Sequence, residues 1–271
     1  MISIVVSTKN EEENIGRLIE SLKAQTYQNF EFICVDNFST DRTTEIVKQY
    51  GYDVISKGPE RSVQRNEGIK RAKGEWILWL DCDMSLLPET LETCVKLASE
   101  HSYDYLTIQE KIPEVSLFAK MRNFENKLLL KTVISVPRFI KSSLFKEING
   151  FDESMTGAED WDMAKRLSQL SPRKGILYVS ETRGIIHHEE SVSYRRFLEK
   201  KKYYTAGCIL YERKWGSRDQ DVRRQLHAIP RLWHIVSAPG NLQTILSRPV
   251  LFLYLLLVKA LPSLFTYKTS Q

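Results

Sequence analysis

Asp81-Cys82-Asp83 sets two carboxylates one residue apart, directly after the apolar run Trp76 to Leu80. At a strand end such a pair can hold a hard divalent cation, Mg2+ or Mn2+, against the oxygens of a diphosphate and can reach the sugar of its nucleotide. Ser7 to Glu11 and Asp36 to Asp41 are polar or acidic stretches that also follow apolar, β-branched runs. Glu159-Asp160-Trp161-Asp162 gathers three carboxylates where a helix would begin. A carboxylate there can take a proton from a reacting hydroxyl, or it can simply favour the positive end of the helix dipole. In Ile185-Ile186-His187-His188 only one imidazole can face a site if the segment is a strand, because neighbouring side chains then point to opposite faces.

The elements that must position these groups are legible from periodicity. Ile2 to Ser7 reads as a strand, and Asn10 to Gln25, with Ile15, Leu18, Ile19 and Leu22 at helical spacing, as a helix. Phe30 to Val35 is a second strand ending on Asp36, followed by N-cap chemistry at Ser39-Thr40-Asp41 and a helix through Tyr50. Val54-Ile55 is a third strand, Val63 to Ala72 a helix with Gly74 just past its end, and Trp76 to Leu80 a strand apolar on both faces. Such alternation predicts a parallel, doubly wound α/β sheet, in which ligands sit beyond the C-terminal strand ends. That rule lines up Ser7 to Glu11, Asp36 to Asp41 and Asp81 to Asp83 along one edge. Neither a G-x-G-x-x-G fingerprint nor a G-x-x-x-x-G-K-[ST] loop occurs, so an ordinary dehydrogenase and a P-loop NTPase are excluded.

The chain has 271 residues, 27% charged and 42% hydrophobic, with a formal net charge of +5, as expected of a globular protein. Cys34, Cys82, Cys94 and Cys208 have neither disulfide-framework nor zinc-site spacing, which fits a reducing compartment. The N-terminal apolar run is too short, and too acidic behind, for a signal peptide, so a cytoplasmic location is expected. Charge is uneven: Arg195 to Gln271 carries 14 Lys and Arg against 4 Asp and Glu, and no acidic residue follows Asp221. The first 194 residues are net acidic, which argues against a nucleic-acid partner and leaves an anionic phospholipid surface for the basic end.

Together these stretches resemble the family 2 glycosyltransferases, inverting enzymes of the GT-A fold that use nucleotide sugars. The matching segments are Ser3 to Glu12, Gln25 to Glu31, Val35 to Thr43, Arg65-Asn66-Glu67-Gly68, Ala72 to Glu75, Asp81-Cys82-Asp83, Gly150 to Glu153 and Glu159 to Asp162, in the family's order. The resemblance implies a Rossmann-like mixed, mostly parallel sheet flanked by helices, a nucleotide-sugar donor, expected to be UDP-linked, and a divalent cation. It places Ser7, Lys9 and Glu11 at the base and ribose, Asp36 and Asn37 at base recognition, and Arg65 or Arg61 at the diphosphate. Asp83 resembles the main metal ligand, with Asp81 at the ribose or the metal and His187 completing the site; His188 is the alternative. Asp160 matches the base that deprotonates the acceptor, with Glu159 and Asp162 as competitors. Lys9 stands where the family often has Tyr, and Asn37 where it often has a second Asp.

Ser193 to Trp215 reads as a cationic helix with an aromatic side, and Val250 to Val258 is the most apolar run. The roughly 16 apolar residues between Pro249 and Phe265 would span only about 24 Å as a helix, short of a hydrocarbon core of about 30 Å. A monotopic hairpin or interfacial helix on the cytoplasmic leaflet, a dimer interface, or a helix packed back on the domain all remain open. The expected layout is a catalytic domain over 1–190, with its nucleotide-sugar half about 1–110 and its acceptor half about 111–190, and a basic, apolar, membrane-associating extension over 191–271. The acceptor is expected to be lipid-linked or a glycan. A nucleotidyltransferase of related fold and a non-catalytic sugar-nucleotide sensor are the other classes.

Overall fold

The computed structural model describes residues 1–188 and 194–266. The expected boundary at 190/191, and the side chains of Arg195, Arg196 and Lys200 to Lys202, lie outside the described residues. The strands are β1 (Ile2–Thr8), β2 (Phe30–Asp36), β3 (Val54–Ser56), β4 (Trp76–Asp81), β5 (Met84–Leu86), β6 (Tyr105–Ile108), β7 (Glu110–Lys111), β8 (Phe139–Lys141), β9 (Lys174–Leu177) and β10 (Ile185–His187). Between them lie the helices α1 (Ile15–Lys23), α2 (Thr43–Gln49), α3 (Arg61–Arg71), α4 (Thr90–Glu100), α5 (Leu117–Leu129), α6 (Ser142–Glu147) and α7 (Glu159–Leu170). The chain closes with α8 (Tyr194–Trp215), α9 (Gln220–Leu226), α10 (Ala228–Ser237), α11 (Asn241–Ser247) and α12 (Pro249–Thr266).

Seven strands form the main sheet in the order β3-β2-β1-β4-β8-β6-β9. All pairs are parallel except the two made by β8, which runs against both β4 and β6. The sheet is therefore mixed but mostly parallel, and the C-terminal ends of β1, β2, β4 and β6 share one edge. A small sheet, β5-β10-β7, stands beyond that edge. Its β10 sets His187 opposite Met84, which is how a segment 100 residues downstream returns to Asp83.

The strands are apolar on both faces because helices cover both. Ile2, Ile4 and Val6 pack with α1, α2 and α4, whereas Val5, Ile77 and Trp79 pack with α3, α6 and α7. Strand periodicity then puts Trp79 and Asp81 on the α3 side together. α3 lies very close to the sheet: a Cβ on Gly68 would meet Val5 Cγ1 at 2.4 Å. From α3, Gln64 donates to the carbonyls of Thr8 and Val35 at 2.9 and 2.7 Å, tying the ends of β1 and β2 together.

The expected helix from Asn10 begins later, at Ile15. Asn10 adopts a left-handed backbone (φ 54°) and its Oδ1 accepts from Thr40 N at 2.8 Å, while Glu11 N donates to Thr43 Oγ1 at 2.7 Å. These bonds clasp the loops after β1 and β2 and keep Asn10 to Asn14 out of the helix. Asp41, two residues before α2, accepts from Thr43 N at 3.0 Å through Oδ1 and so satisfies the first amide of the helix.

The C-terminal helices pack back on the domain. Ile235, Ile245, Leu255 and Val258 share a core with Met121, Phe124 and Leu128 of α5. Lys259 Nζ lies 2.6 Å from Glu125 Oε1, and Arg122 Nη1 3.2 Å from its other oxygen. Burial alone would raise the Glu125 carboxyl, but these cations hold it down at about 2. A depressed carboxyl contributes stability that is complete above its unfolded value near 4.5 and is lost as pH falls toward 2. Glu125→Gln should therefore destabilise the protein by about 2–3 kcal/mol at pH 7, with the difference from wild type shrinking in urea melts below pH 4.

Candidate active site

The strand edge holds one connected ionic cluster. Arg65 projects from α3, 1% exposed, and reaches two elements at once: Nη2 lies 2.7 Å from Asp81 Oδ1, and Nη1 lies 2.9 Å from Asp160 Oδ1 and 3.5 Å from Glu159 Oε1. Arg138, on the residue before β8, takes the other Asp81 oxygen at 3.4 Å and Glu110 Oε1 at 2.6 Å. His187 continues the chain, with Nδ1 3.1 Å from Glu110 Oε2 and Nε2 3.3 Å from Asp83 Oδ1. The order is thus Asp160, Arg65, Asp81, Arg138, Glu110, His187, Asp83.

Trp79 positions the two arginines. Its ring centroid lies 4.3 Å from the Arg65 guanidinium carbon and 4.2 Å from that of Arg138, and its Nε1 donates to Pro137 O at 3.0 Å. Cation–π attraction is strongest where water is excluded, and Trp79 is fully buried. Phe151 packs edge-on against Trp79 at 5.4 Å and is itself clamped by Asn66, which accepts from Phe151 N and donates to Phe151 O. Gly150 (φ 68°) has no room for a side chain there, since a Cβ would meet Asn66 Oδ1 at 2.3 Å. The Arg65-Asn66-Glu67-Gly68 and Gly150-Phe151 stretches are therefore one packing unit beneath the site.

Protonation follows from this wiring. Burial disfavours the Asp81 charge, but Arg65, Arg138 and Arg61 outweigh it and hold the carboxyl far below the ordinary range. Glu110 is likewise buried, and Arg138 and His187 bring it down to about 2. Burial works against a charged His187, yet hydrogen bonds to Asp83 and Glu110 raise it to about 10. Glu159 is raised by burial and by the neighbouring Asp160 charge. Glu11 is raised by burial and by Asp83 and Asp81, which places it on the acidic side of the cleft.

The other candidates divide between cleft and scaffold. Ser7 Oγ is buried near the end of β1 with no hydrogen-bond partner among the described residues, and Lys9 is exposed in the loop beyond it. Asp36 accepts from Ser39 N at 2.8 Å and from its hydroxyl, and Asn37 donates to Pro59 O. Asp36 is therefore committed to its own turn and Asn37 to the loop after β3. Arg61 meets Glu159 at 3.5 Å and the Tyr204 hydroxyl of α8 at 3.1 Å. His188 turns away to Ser85 Oγ at 2.8 Å, leaving His187 on the site side. Among the three acidic residues that open α7, Asp162 is fully buried against Arg166, Lys214 and Trp215, and Glu159 is 4% exposed. Asp160, at 32%, is the open one. Trp161 packs, donating to Ile134 O at 3.0 Å.

Arg138, Glu110 and Trp79 were not among the residues picked out from sequence. Glu110 carries the same signal as Asp36 and Asp81, an acid just past an apolar strand, and Trp79 stands two residues before Asp81 and so on its face. Arg138 has no such signal. As a cation site, Asp83 and His187 form a pair and not a cage: among the described residues no group of three His, Cys, Asp or Glu side chains could hold a metal ion. Both Asp81 oxygens face arginines. One carboxylate and one imidazole still fit a cation whose remaining positions are filled by diphosphate oxygens and water, the usual habit of Mg2+ in nucleotide sites.

The stretch that builds this edge from β1 to the Gly150-Phe151 turn matches the sequence profile of Glycosyl transferase family 2 over residues 3–154, and α7 with Asp160 follows just beyond the match. The chain belongs to this family. A Haemophilus influenzae protein described as an uncharacterized glycosyltransferase is 28% identical over 193 residues, 62% of each chain. The Staphylococcus aureus poly(ribitol-phosphate) beta-N-acetylglucosaminyltransferase TarS is 28% identical over 252 residues, 80% of this chain and 42% of TarS. The chain thus spans less than two thirds of the length of these relatives. Among solved structures, S. aureus TarS 1-349 in complex with UDP superposes with a TM-score of 0.59 at 24% identity, covering 83% of this chain and 70% of that one. The mannosyltransferase PcManGT from Pyrobaculum calidifontis, in complex with GDP-Man and Mn2+, gives 0.64 at 18% identity over 99% of this chain and 82% of its own. The shared fold is the GT-A arrangement.

Replacing Arg138 with methionine leaves Asp81 and Glu110 facing each other in a buried setting with one cation fewer. Arg138→Met should cost about 3 kcal/mol or more in urea unfolding at pH 7. The deficit should narrow toward pH 4, where the carboxylates of the variant take up protons.

Proposed function

We propose that the protein is an inverting glycosyltransferase that moves a sugar from a nucleoside-diphosphate donor, UDP-linked, to a lipid-linked or glycan acceptor. The observation that carries this reading is Arg65, whose single guanidinium joins Asp81, at the donor end of β4, to Asp160, at the start of α7. It brings the two halves of a transfer reaction into one cluster: a place for the departing diphosphate and a carboxylate for the incoming hydroxyl. The UDP assignment is supported by TarS, solved with UDP and with UDP-GlcNAc; GDP-Man in PcManGT is the competing case.

In this reading Asp160 accepts the proton of the acceptor hydroxyl as that oxygen bonds to the anomeric carbon. The bond from that carbon to the diphosphate breaks, and its electron pair leaves with the nucleoside diphosphate. Arg65 orients Asp160 through Oδ1 and, with Arg61 nearby, supplies positive charge where the leaving group gathers negative charge. Asp83 and His187 would hold a Mn2+ or Mg2+ ion, which when bound neutralises the diphosphate and makes it a better leaving group. His187 would ligate only as neutral imidazole, so a bound cation would have to displace the proton that Asp83 and Glu110 otherwise hold on it, and neutral imidazole favours Mn2+ of the two. Glu11 and Ser7 line the donor end, and Lys9 stands at its mouth. In this reading 1–190 is the catalytic part and 191–271 an extension, whose described helices α10 to α12 share a core with α5.

A screen of nucleotide sugars with Mn2+ or Mg2+ should release UDP from one of them; release of pyrophosphate, or of nothing, would replace this reading with a nucleotidyltransferase or a sensor. Asp160→Asn should lower transfer by about 100-fold to 10,000-fold while leaving donor affinity within a few-fold of wild type. Asp83→Ala should abolish the metal dependence of donor binding in calorimetric titration.

A further inference from the structure

The three helices that follow Val222 have two apolar sides each. One side forms the core with α5 already described. The other faces solvent: Ile229 and Trp233 on α10, Leu242 and Leu246 on α11, Val250, Leu253 and Leu257 on α12. These seven large side chains are between 56% and 83% exposed, and within each helix they recur at i+3, i+4 or i+7, so each set is one stripe. Because α10 and α12 pack on α5 and Ile245 of α11 joins the same core, the outward stripes face away from that core. Single exposed leucines are ordinary on a protein surface, but seven large apolar residues on three consecutive helices mark an interaction surface.

Charge decides what covers it. From Val222 to Thr266 the chain has no Asp or Glu and five Lys and Arg, Arg223, Arg224, Arg231, Arg248 and Lys259. Lys259 is paired with Glu125 and Arg224 lies 3.8 Å from Asp221, whereas Arg223 and Arg248 are exposed. Apolar stripes with exposed cations and no acid of their own match an anionic lipid surface, where a protein partner of ordinary composition calls for mixed charge. Geometry decides how it is covered. Among the described residues no single helix is long and apolar enough to cross a membrane; α11 and α12 qualify only as a pair, and they meet at a bend of 102°. That elbow, at Arg248, suits a wedge lying in the interface. Beside it a cavity of about 170 Å³ is lined by Ser247, Arg248, Lys111, Lys127, Glu114 and Glu110, the last a member of the ionic cluster.

We infer that α10, α11 and α12 form a docking surface for an anionic phospholipid bilayer, with the outward stripes in the acyl boundary and the elbow cavity facing the headgroups. The surface stands apart from sugar transfer. Joined to the proposed function, it gives a lipid-borne acceptor a way in past Arg248 toward Glu110.

The test is flotation of the full chain with vesicles of phosphatidylethanolamine and phosphatidylglycerol, against vesicles of phosphatidylcholine alone. Wild type should float with the anionic vesicles at least tenfold more than with the neutral ones, and 0.5 M salt should reduce the difference. The Trp233→Glu, Leu246→Glu, Leu253→Glu triple variant should remain unfloated with an unchanged circular dichroism spectrum. Brominated acyl chains should quench part of the wild-type tryptophan fluorescence, and that part should vanish in Trp233→Phe, a readout that does not depend on the triple variant folding. Wild type that stays in solution, equal flotation on both vesicles, or quenching unchanged in Trp233→Phe would overturn the inference. So would a wild-type dimer in light scattering that the triple variant dissolves, with no vesicle binding by either. Asp160→Asn should float as wild type does, so that loss of transfer and loss of docking are told apart.

Discussion

The candidate site depends on keeping Asp81 ionised in a place where burial works against its charge. Two guanidinium groups in contact with it do most of this, one from α3 and one from the residue before β8, and both rest against the Trp79 indole, with Arg61 adding to them from farther off. A buried ion pair is weak evidence of stability when exchanged for an apolar pair, but removing one member of it leaves an uncompensated charge. The cluster therefore has to be built as a unit. Its parts come from six separate stretches of chain: Arg65 rests against Trp79 and Phe151, Arg138 against Trp79, and Glu110 and His187 are set by the small sheet that returns to β5.

This arrangement explains why the matching segments are spread over half the chain. Asn66 holds Phe151, Phe151 supports Trp79, Trp79 supports the arginines, and Gly68 lets α3 lie close enough to β1 for Arg65 to reach the strand edge. Residues that look like separate signatures on paper are neighbours in one packed column. The acids at the cleft are then the visible end of a hydrophobic construction. Counting side chains, Asp81, Asp83, Glu110, Glu159 and Asp160 face Arg61, Arg65, Arg138 and His187, close to balance, so a diphosphate entering the cleft meets carboxylates as well as guanidinium groups. A divalent cation beside Asp83 would resolve that conflict.

Much of this was legible in the sequence. The strands β1, β2 and β4 announce themselves as apolar runs ending in polar residues, Asp36 and Asp81 in the last two, and the helix pattern between them fixes a mostly parallel sheet, so that Ser7, Asp36 and Asp81 must share an edge. The choice between His187 and His188 required the register of β10 on β5, which no local pattern encodes. Asn10 to Asn14 reads as helix by periodicity, yet side-chain bonds to the next loop are available only in three dimensions. The partner of Asp81 at position 138 is invisible for the same reason: Pro137-Arg138-Phe139 has no periodic or spacing signal, and only the reversed strand β8 brings it beside β4. The outward stripes of α10 to α12 were readable as apolar content but not as a face, because each helix has two.

The backbone of α8 touches the segment leading into α7 with no side chain between them: a Cβ on Gly207 would meet Gly157 O at 2.0 Å and Thr156 O at 2.2 Å. Two pieces of main chain in such contact cannot slide independently, since packed interiors yield in steps and not smoothly. α8 has 22 residues, a rod of about 33 Å. Force applied at its distant end would be delivered, as through a crowbar with its fulcrum at Gly207, to the turn that sets the aim of Asp160.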